Sequence, residues 1–335
     1  MSVTPECTSL SNVSYSSGDL IADRRADFAK TIAEGGDYRG AADIMAQALE
    51  LVPHWAAGWY LLGGYCETSQ DVPGAISAWR HLEALDEADV FGARLKLAAH
   101  GAGEASQGTA TGYVEALFDQ FAPRFETVLL DRLQYQVPDL LDRMLVEEMS
   151  RQGIDGFAHA LDLGCGTGLM GERLRKKVSY LEGIDLSSAM LAATARKEIY
   201  DRLDKAELVE DLSSRQGEVD LLTAADVLIY CGALQPILAA CMQALCYGGV
   251  LAFSLEAHDG PEAIFLRPSL RYAHGVAATR DALIVAGLEV LRFDYEILRY
   301  DRGEPIYGIL VLARKPAVEL TAANDHSGGD SDVAA

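Results

Sequence analysis

The chain has 335 residues, half of them hydrophobic, with 50 acidic against 28 basic side chains and a formal net charge of −22 at pH 7. A chain of this size can bury cores in more than one domain, whereas a surface this acidic repels phosphate backbones and argues against nucleic-acid partners. No apolar run is long enough to span a bilayer and no basic-then-apolar leader is seen, so we expect a cytoplasmic protein with no membrane partner.

The first hundred residues predict a flexible arm followed by helical repeats. Residues 1–20 are rich in Ser, Thr and Asn without a hydrophobic period, which indicates disorder. Within residues 21–100, Gly36–Pro53 aligns with Gln70–Glu87 at an offset of 34 residues. That offset is the period of tetratricopeptide (TPR) repeats, so the segment resembles two TPR-like helical hairpins. Such hairpins usually dock a protein partner, and a packing or dimerisation module is the alternative.

A domain boundary and a second helical stretch come next. Residues 101–112 are rich in Gly, Ala, Ser and Thr and predict a linker. Residues 113–150 have helical periodicity, broken by Pro123 and Pro138. This stretch also contains a series of aromatic side chains, Tyr113, Phe118, Phe121 and Phe125.

A glycine-rich turn within residues 159–177 organises the second half of the chain. A short apolar strand leads into the turn and a helical pattern follows it. The third glycine falls one residue too early for a dinucleotide-binding turn, and the Gly-Lys-Ser/Thr ending of a phosphate loop is missing. The pattern Asp-x-Gly-x-Gly-x-Gly instead resembles motif I of class I S-adenosylmethionine (SAM)-dependent methyltransferases. It is carried by Asp162, Gly164, Gly166 and Gly168.

A second acidic motif follows at the end of the next predicted strand. Leu181–Leu191 predicts a strand that ends at Asp185 and a helix capped by Ser187. A carboxylate there lies at the carboxyl edge of a parallel sheet, where ligands of open α/β sheets bind. The segment also resembles the second motif of the same methyltransferases, which implies that Asp185, next to Leu186, accepts hydrogen bonds from the ribose hydroxyls of SAM. The alternative is an ordinary turn residue.

Two further segments continue the alternation of helices and strands. Ala193–Lys205 predicts an exposed helix, and Ala206–Ser214 predicts a third strand followed by an acid. By the resemblance, Asp211 and the backbone of Leu212 recognise the adenine, with Glu210 as the other candidate.

The apolar segment Glu218–Leu234 is typical of a strand buried on both faces. It resembles the fourth motif of these methyltransferases, which implies that Ala225 and Asp226 lie beside the methionine part of SAM. A helix at Gln235–Cys246 and a fifth strand at Gly248–Glu256 follow.

The end of the chain predicts a helix, a hairpin and a tail. Ser269–Leu288 predicts a loop and a helix, and Glu289–Asp301 and Glu304–Pro316 predict two strands joined by a two-residue turn. Residues 317–335 are rich in small and acidic residues and predict a disordered tail. The predicted fold class is α/β: a Rossmann-like, seven-stranded class I methyltransferase sheet with a terminal antiparallel hairpin, preceded by an all-α TPR-like module.

Residues 113–316 therefore resemble a class I SAM-dependent methyltransferase domain, and the whole chain resembles the bacterial TPR-containing class I methyltransferases. The resemblance implies SAM as the cofactor, a small-molecule or protein acceptor, and a helical lid at residues 113–150 that excludes water. It implies a cofactor site made of Asp162, Gly164, Cys165, Gly166, Gly168, Asp185, Leu186, Asp211, Leu212, Ala225 and Asp226.

A catalytic base is needed only for a weakly acidic acceptor such as an alcohol. His274 is the first candidate, followed by Tyr272, Glu256 and His258, and ordinary structural use is the alternative for each. Arg271 could hold an acidic substrate, or it could pair with one of the many acids of the protein.

The six cysteines lack CxxC spacing, and no His, Asp or Glu cluster has the spacing of a metal site, so none is predicted. Two other functions stay open. One is a TPR scaffold in which the SAM-binding fold is regulatory or inactive. The other is a nicotinamide dehydrogenase, which the bulky Leu169 and the terminal hairpin weaken.

Overall fold

The computed structural model describes residues 16–104 and 108–317. Most of the predicted arm and of the predicted tail lies outside the described residues. Residues 16–19 of the arm lead directly into the first helix, where the Asp19 carboxylate accepts hydrogen bonds from the backbone N–H groups of Ile21 and Ala22. In the part of the chain that the structure describes, no helix is both long and apolar enough to cross a membrane.

The N-terminal helical module, residues 20–99, is a row of antiparallel helices in which each packs against the next. The helices are α1 (Leu20–Glu34), α2 (Tyr38–Leu51), α3 (Ala56–Thr68), α4 (Val72–Leu85) and α5 (Ala93–Ala99). Helices α2 and α4 begin and end 34 residues apart, at 38 and 72 and at 51 and 85. Both begin in the same way, because Asp37 and Asp71 accept hydrogen bonds from Gly40 and Gly74 at 2.9 and 3.0 Å. The repeat in the sequence is therefore a repeat in the structure.

Small residues allow the helices of this module to approach closely. Ala41, Ala48 and Ala75 have no exposed surface. The Trp79 indole, which is also fully buried, lies against Gly63, where any side chain would overlap it. Close packing of this kind stabilises short helices that would not be stable alone.

The second half of the chain forms a nine-stranded mixed sheet covered by helices. The strands are β1 (Phe157–Leu163), β2 (Val178–Asp185), β3 (Arg202–Lys205), β4 (Val219–Ala224), β5 (Leu245–His258), β6 (Ile264–Leu266), β7 (Tyr272–Gly275), β8 (Glu289–Asp301) and β9 (Glu304–Arg314). The helices are α6 (Thr111–Phe121), α7 (Val137–Gln152), α8 (Leu169–Leu174), α9 (Ser188–Ala195), α10 (Leu208–Ser214), α11 (Gln235–Ala244) and α12 (Val276–Val285). Shorter turns of 3-10 helix lie at Ala122–Arg124, Arg175–Lys177 and Leu228–Tyr230, and a π-helical segment lies at Thr127–Arg132.

The strand order is β3-β2-β1-β4-β5-β7-β6, with β9 antiparallel to β5 and β8 antiparallel to β9. Strands β1 to β5 and β7 run parallel, so β1, β2 and β4 end at one edge of the sheet. Alternate residues of the strands face two separate hydrophobic cores, as Leu161 and Ala160 do. A parallel sheet buried on both faces binds its ligand at the carboxyl edge, which is where the glycine turn lies.

Several predictions about the sheet are confirmed, but the predicted number of strands is wrong. The glycine turn follows β1, β2 ends at Asp185, and the terminal hairpin turns at Arg302 and Gly303, both at positive φ. The sheet has nine strands among the described residues rather than seven, because β6 and β7 form within the segment between β5 and α12. Strands of three and four residues are too short to give a periodic signal in the sequence.

The third strand was placed wrongly by the sequence pattern. Ala206–Ser214 contains the helix α10, in which the Glu207 side chain accepts a hydrogen bond from the Glu210 N–H at 2.8 Å and caps the first turn. Strand β3 lies earlier, inside the predicted helix Ala193–Lys205, because α9 ends at Ala195. The apolar residues of a helix of two turns are too few to distinguish its period from that of a strand.

Two other boundaries differ from the predictions. The apolar segment Glu218–Leu234 leaves the sheet at Ala224 and continues as a 3-10 turn. The predicted lid also divides in two. Residues 137–152 form α7, whose apolar side is buried against the sheet, and the part that covers the carboxyl edge is residues 111–132.

Candidate active site

The glycine turn after β1 forms the floor of a cavity at the carboxyl edge of the sheet. Gly164, Gly166 and Gly168 all have positive φ, at 60°, 55° and 88°, which side chains resist. A Cβ at Gly164 would lie 2.6 Å from Val227, whereas the nearest atom to a Cβ at Gly166 would be a ring carbon of Phe125 at 3.8 Å. The main chain at Gly166 is therefore open to the cavity, and a ligand can approach it closely.

The Asp185 carboxylate lies beside this turn and is held by two backbone hydrogen bonds. It accepts from the N–H of Gly166 at 2.9 Å and from the N–H of Ser187 at 2.8 Å, through different oxygens. Burial raises the pKa of Asp185 above its usual value, and the backbone hydrogen bonds oppose that rise. Each carboxylate oxygen has two lone pairs, so both can accept one more hydrogen bond from a ligand in the cavity.

Asp162 lies one residue before the end of β1 and is only 1% exposed. Its two oxygens accept hydrogen bonds from the Tyr200 hydroxyl at 2.6 Å and the Thr223 hydroxyl at 2.7 Å. Burial raises the pKa of Asp162 to about 6, although both hydrogen bonds favour the ionised form. At pH 7 the group is thus a buried negative charge without a basic partner in the described part of the chain, and a cationic ligand in the cavity would stabilise it.

The lid, residues 111–132, covers the cavity with apolar side chains and is tied down by polar ones. Phe118 and Phe125 line the cavity and contact each other edge to face, with ring centroids 6.0 Å apart. Asp119 accepts hydrogen bonds from the Ser187 hydroxyl at 2.6 Å and from the Ala189 N–H at 3.1 Å. The lid is therefore anchored to the N-terminus of α9, immediately after Asp185.

A buried network of charged side chains forms the other side of the cavity. Asp226 has a φ of +61°, in the left-handed region, and its carboxylate pairs with Arg299. Arg299 also pairs with Glu256, whose second oxygen lies 2.9 Å from the Arg267 side chain. One oxygen of Asp226, Oδ1, is buried without a hydrogen-bond partner among the described residues. A buried acceptor without a partner indicates that a bound ligand supplies a hydrogen-bond donor or a cation.

Eight of the eleven residues of the predicted cofactor site line this cavity, and three do not. The predicted residues that line it are Asp162, Gly164, Cys165, Gly166, Asp185, Leu186, Ala225 and Asp226. Gly168 shapes the turn, donating its N–H to the Cys165 carbonyl at 2.8 Å. Burial and the nearby charges of Asp162 and Asp185 raise the pKa of the Cys165 thiol. This agrees with Cys165 as an unreactive side chain that fills space in the turn.

Asp211 and Leu212 are the two that the structure separates from the cavity. Asp211 pairs with Arg215 at 2.8 Å on the same helix, and Leu212 packs into the hydrophobic core. Glu210, the other candidate, is likewise absent from the lining. Because β3 ends at Lys205, Glu207 and Leu208 are the residues that follow it and line the cavity.

The proposed bases are buried outside the cavity. His274 is 2% exposed, and its Nε2–H donates a hydrogen bond to the Gly232 carbonyl at 2.9 Å. Burial lowers its pKa. Tyr272 is fully buried in a cluster with Leu95 and Leu270. Neither side chain contacts the cavity, so neither can take a proton from an acceptor held there. The two weaker candidates also fail, because Glu256 pairs with arginines and His258 pairs with Glu262.

Sequence reasoning missed several polar side chains of the lining. Glu207 was hidden by the wrong position of β3. Arg299 lies in the hairpin strand β8, and Tyr135 lies between the π-helical segment and α7, so both reach the site only through the tertiary fold. Tyr230 lies in the 3-10 turn after β4, and no local pattern marked it.

Comparisons with known proteins agree with this geometry. Residues 161–251 match a family model described as a methyltransferase domain. Over 146 residues the chain is 30% identical to malonyl-[acyl-carrier protein] O-methyltransferase of Enterobacter lignolyticus (strain SCF1), covering 44% of this chain and 54% of that protein. Over 110 residues it is 29% identical to a protein of Geobacillus sp. (strain WCH70) named as a methyltransferase, covering 32% and 43%. The chain thus spans about half the length of the curated relatives it matches.

One match among solved structures is magnesium protoporphyrin IX methyltransferase of Synechocystis PCC 6803 with bound SAM. The TM-score is 0.41 and the identity 18%, over 53% of this chain and 79% of that chain. Taken together, the family match and the named relatives support a SAM-dependent methyltransferase. Residues 161–251 thus match a methyltransferase domain, and S-adenosylmethionine is the cofactor that this match supports.

Proposed function

We propose that the chain transfers a methyl group from SAM to an acceptor that enters the cavity beneath the lid. The observation that carries this proposal is the hydrogen bond between the Gly166 N–H and the Asp185 carboxylate. It joins the open main chain of the glycine turn to a carboxylate with free acceptor sites, at the carboxyl edge of the sheet.

The residues present fit SAM in type and charge. Asp185 would accept hydrogen bonds from the ribose hydroxyls, and Leu186, Glu207 and Leu208 would surround the adenine. The buried charge of Asp162 and the orphaned Oδ1 of Asp226 would receive the cationic end of the molecule. SAM supplies the electrophilic methyl group, and the protein supplies alignment of the two reactants, which can contribute roughly 7 to 11 kcal/mol to catalysis.

The lid would complete the site by excluding water and closing over the acceptor. Phe118 supports this role, because its ring packs edge to face on both Phe125 and Tyr230, at 6.0 and 5.5 Å. These contacts connect the lid to the turn after β4. Closure of the lid and formation of the acceptor side of the cavity are therefore coupled.

We infer that the N-terminal helical module consists of two TPR-like hairpins with α5 as a capping helix. The matched boundaries and caps of α2 and α4 support this inference. Its proposed role is to dock a partner or a protein substrate, with dimerisation as the alternative. Sedimentation of the purified chain distinguishes the two roles. A monomer at micromolar concentration favours docking. A dimer that dissociates when a residue on α1 or α2 is substituted favours dimerisation.

Isothermal titration calorimetry tests the proposed cofactor site, followed by transfer of label from methyl-labelled SAM to a panel of acceptors. We expect micromolar binding of SAM and S-adenosylhomocysteine (SAH) and none of NADH. Asp185→Ala should abolish binding in a protein that keeps its helical content. Unchanged affinity in that variant would overturn the site assignment, and binding of NADH alone would revive a dehydrogenase.

The second candidate function is a scaffold whose SAM-binding domain is regulatory or inactive. The absence of histidine and lysine from the cavity lining, among the described residues, is the observation that favours it. A chain that binds SAH with full affinity but methylates neither an acid, an amine nor an alcohol would support the scaffold.

A further inference from the structure

The acceptor side of the cavity has more positive than negative charge. In the described part of the chain, the charged network there holds three guanidinium groups, from Arg267, Arg271 and Arg299, and two carboxylates, from Asp226 and Glu256. Arg299 and Glu256 are buried, whereas the Arg267 and Arg271 side chains are about one-third exposed. One positive charge is left over. A partly buried guanidinium whose charge is not fully compensated by close carboxylates favours a negatively charged group on the ligand.

The longest ion pair of this network belongs to Arg271. Arg299 is held by both carboxylates, and Arg267 lies 2.9 Å from Glu256. The Arg271 guanidinium reaches Glu256 only at 4.0 Å and is otherwise hydrogen-bonded to the Tyr230 hydroxyl. Arg271 and Tyr230 both line the cavity, whereas Arg267 does not. The Arg271 guanidinium, whose ion pair is the longest, thus faces the space in which the acceptor would lie.

The position of Arg271 is fixed by the fold. It follows Leu270, which has a φ of +61° and is buried, and it precedes β7. Leu270 and Tyr272, on either side, pack against Leu95 of α5 and Tyr113 of α6. A guanidinium held on both sides by packed neighbours loses little freedom on binding an anion, which favours recognition.

Resting on the proposed function, we propose that the methyl acceptor is a carboxylic acid whose carboxylate binds Arg271 and Tyr230. One carboxylate oxygen binds the guanidinium. The other forms a C–O bond to the methyl carbon while the bond from that carbon to sulfur breaks and its electron pair stays on sulfur. The products are a methyl ester and SAH. A carboxylate carries no proton at neutral pH, so no base is needed, and the lining offers neither histidine nor lysine among the described residues.

The apolar remainder of the cavity fits the rest of such an acid. Phe118, Leu129 and Ile229 line the same space as Arg271. An acid with a hydrocarbon body would bury that body against these side chains and place its carboxylate on the guanidinium. Octanoate and benzoate are probes with this form, and octanol and benzyl alcohol are their uncharged counterparts.

Calorimetry of the SAH-loaded full-length protein with these four probes tests the proposal. We expect octanoate or benzoate to bind at least tenfold more tightly than its alcohol. Arg271→Gln should remove this preference and leave SAH affinity within about twofold. Arg280→Gln is the matched control, because Arg280 stacks on Phe293 outside the cavity, and it should retain the preference. Tyr230→Phe keeps the ring and should weaken acid binding several-fold. This variant replaces Arg271→Gln in the test if Arg271→Gln does not fold.

With methyl-labelled SAM in place of SAH, the label should appear in a base-labile methyl ester of the bound acid. Failure of both acids to bind, equal affinity for acid and alcohol, or a preference that survives in Arg271→Gln would overturn the carboxylate acceptor while SAH binding persists. Absence of SAH binding in the wild-type protein would overturn the proposed function and this inference together.

Discussion

The backbone N–H of Gly166 donates a 2.9 Å hydrogen bond to the carboxylate of Asp185, which links the glycine turn after β1 to the end of β2. Nineteen positions separate the two residues in the chain. The bond fixes the carboxylate beside the main chain of Gly166, which is open to the cavity. The proposed recognition of SAM depends on this relationship.

Replacement of Asp185 by Asn tests whether its charge, rather than its shape, binds the cofactor. The amide keeps one accepting oxygen, so it can satisfy only one of the two N–H groups and leaves little for a ribose. Charge-assisted hydrogen bonds contribute about 1.5 to 3 kcal/mol each, so we expect SAH affinity to fall by at least about tenfold. Calorimetry measures the change, and an affinity within twofold of wild type would contradict the assignment.

The corrected position of β3 gives a paired prediction for the adenine end. Glu207→Ala should weaken SAH binding by about three- to tenfold, because Glu207 lines the cavity. Asp211→Ala should leave SAH affinity unchanged, although loss of its ion pair with Arg215 will lower the melting temperature. If Asp211→Ala instead weakened SAH binding and Glu207→Ala did not, the prediction that Asp211 recognises the adenine would be correct.

The raised pKa of Asp162 predicts how cofactor binding depends on pH. Because the pKa in the folded, ligand-free protein is about 6, the charge that would attract the cationic end of SAM is lost as the pH falls through 6. We expect SAM affinity to fall by up to about tenfold per pH unit below 6. Asp162→Asn should bind SAM weakly and without this dependence, as calorimetry at several pH values would reveal.

The raised pKa of Asp162 also predicts how the stability of the ligand-free protein depends on pH. The pKa of Asp162 is higher in the folded protein than its unfolded value of 3.8, so the ionised group destabilises the fold. Its contribution to the free energy of unfolding therefore falls as the pH rises from about 4 to 6, and it is constant above pH 6. The shift corresponds to about 3 kcal/mol. Denaturant unfolding at pH 7.5 should find Asp162→Asn at least as stable as wild type, and a clear loss of stability would contradict the burial of a charge there.

Two adjacent glycines of α3 test the packing of the helical module. Gly63→Ala should lower the free energy of unfolding by roughly 1 to 3 kcal/mol, because the added Cβ overlaps the buried Trp79 indole. Gly64→Ala adds the same atom into open space and should raise it by up to about 1 kcal/mol, through the better helix propensity of alanine. Thermal or denaturant unfolding compares them directly, and equal effects of the two changes would contradict the packing described.

The sequence was sufficient for the parts of the molecule that depend on local chemistry. The glycine turn, the acid that ends β2, the 34-residue repeat and the Arg302–Gly303 turn all need particular residue types at fixed spacing, and all four are found. Short elements could not be predicted in this way. Helix α10 and strands β3, β6 and β7 are seven residues or fewer, so tertiary packing decides their form.

The acceptor side of the site was the hardest part to predict. Arg299, Tyr135 and Tyr230 come from three distant segments, and nothing in their neighbours marks them. His274 was a reasonable candidate by its position near a sheet edge, but its burial against the Gly232 carbonyl is a property of the folded chain. Arg271 could be singled out from the sequence, whereas its lack of a close acidic partner could be seen only in the structure.

A crystal structure of the full-length chain with SAH would test the central claim most directly. We predict that both ribose hydroxyls lie within hydrogen-bonding distance of the Asp185 carboxylate and that the sulfur lies on the side of the cavity bounded by Asp162 and Asp226. SAH bound with its ribose away from Asp185, or no SAH in the cavity at saturating concentration, would contradict the account.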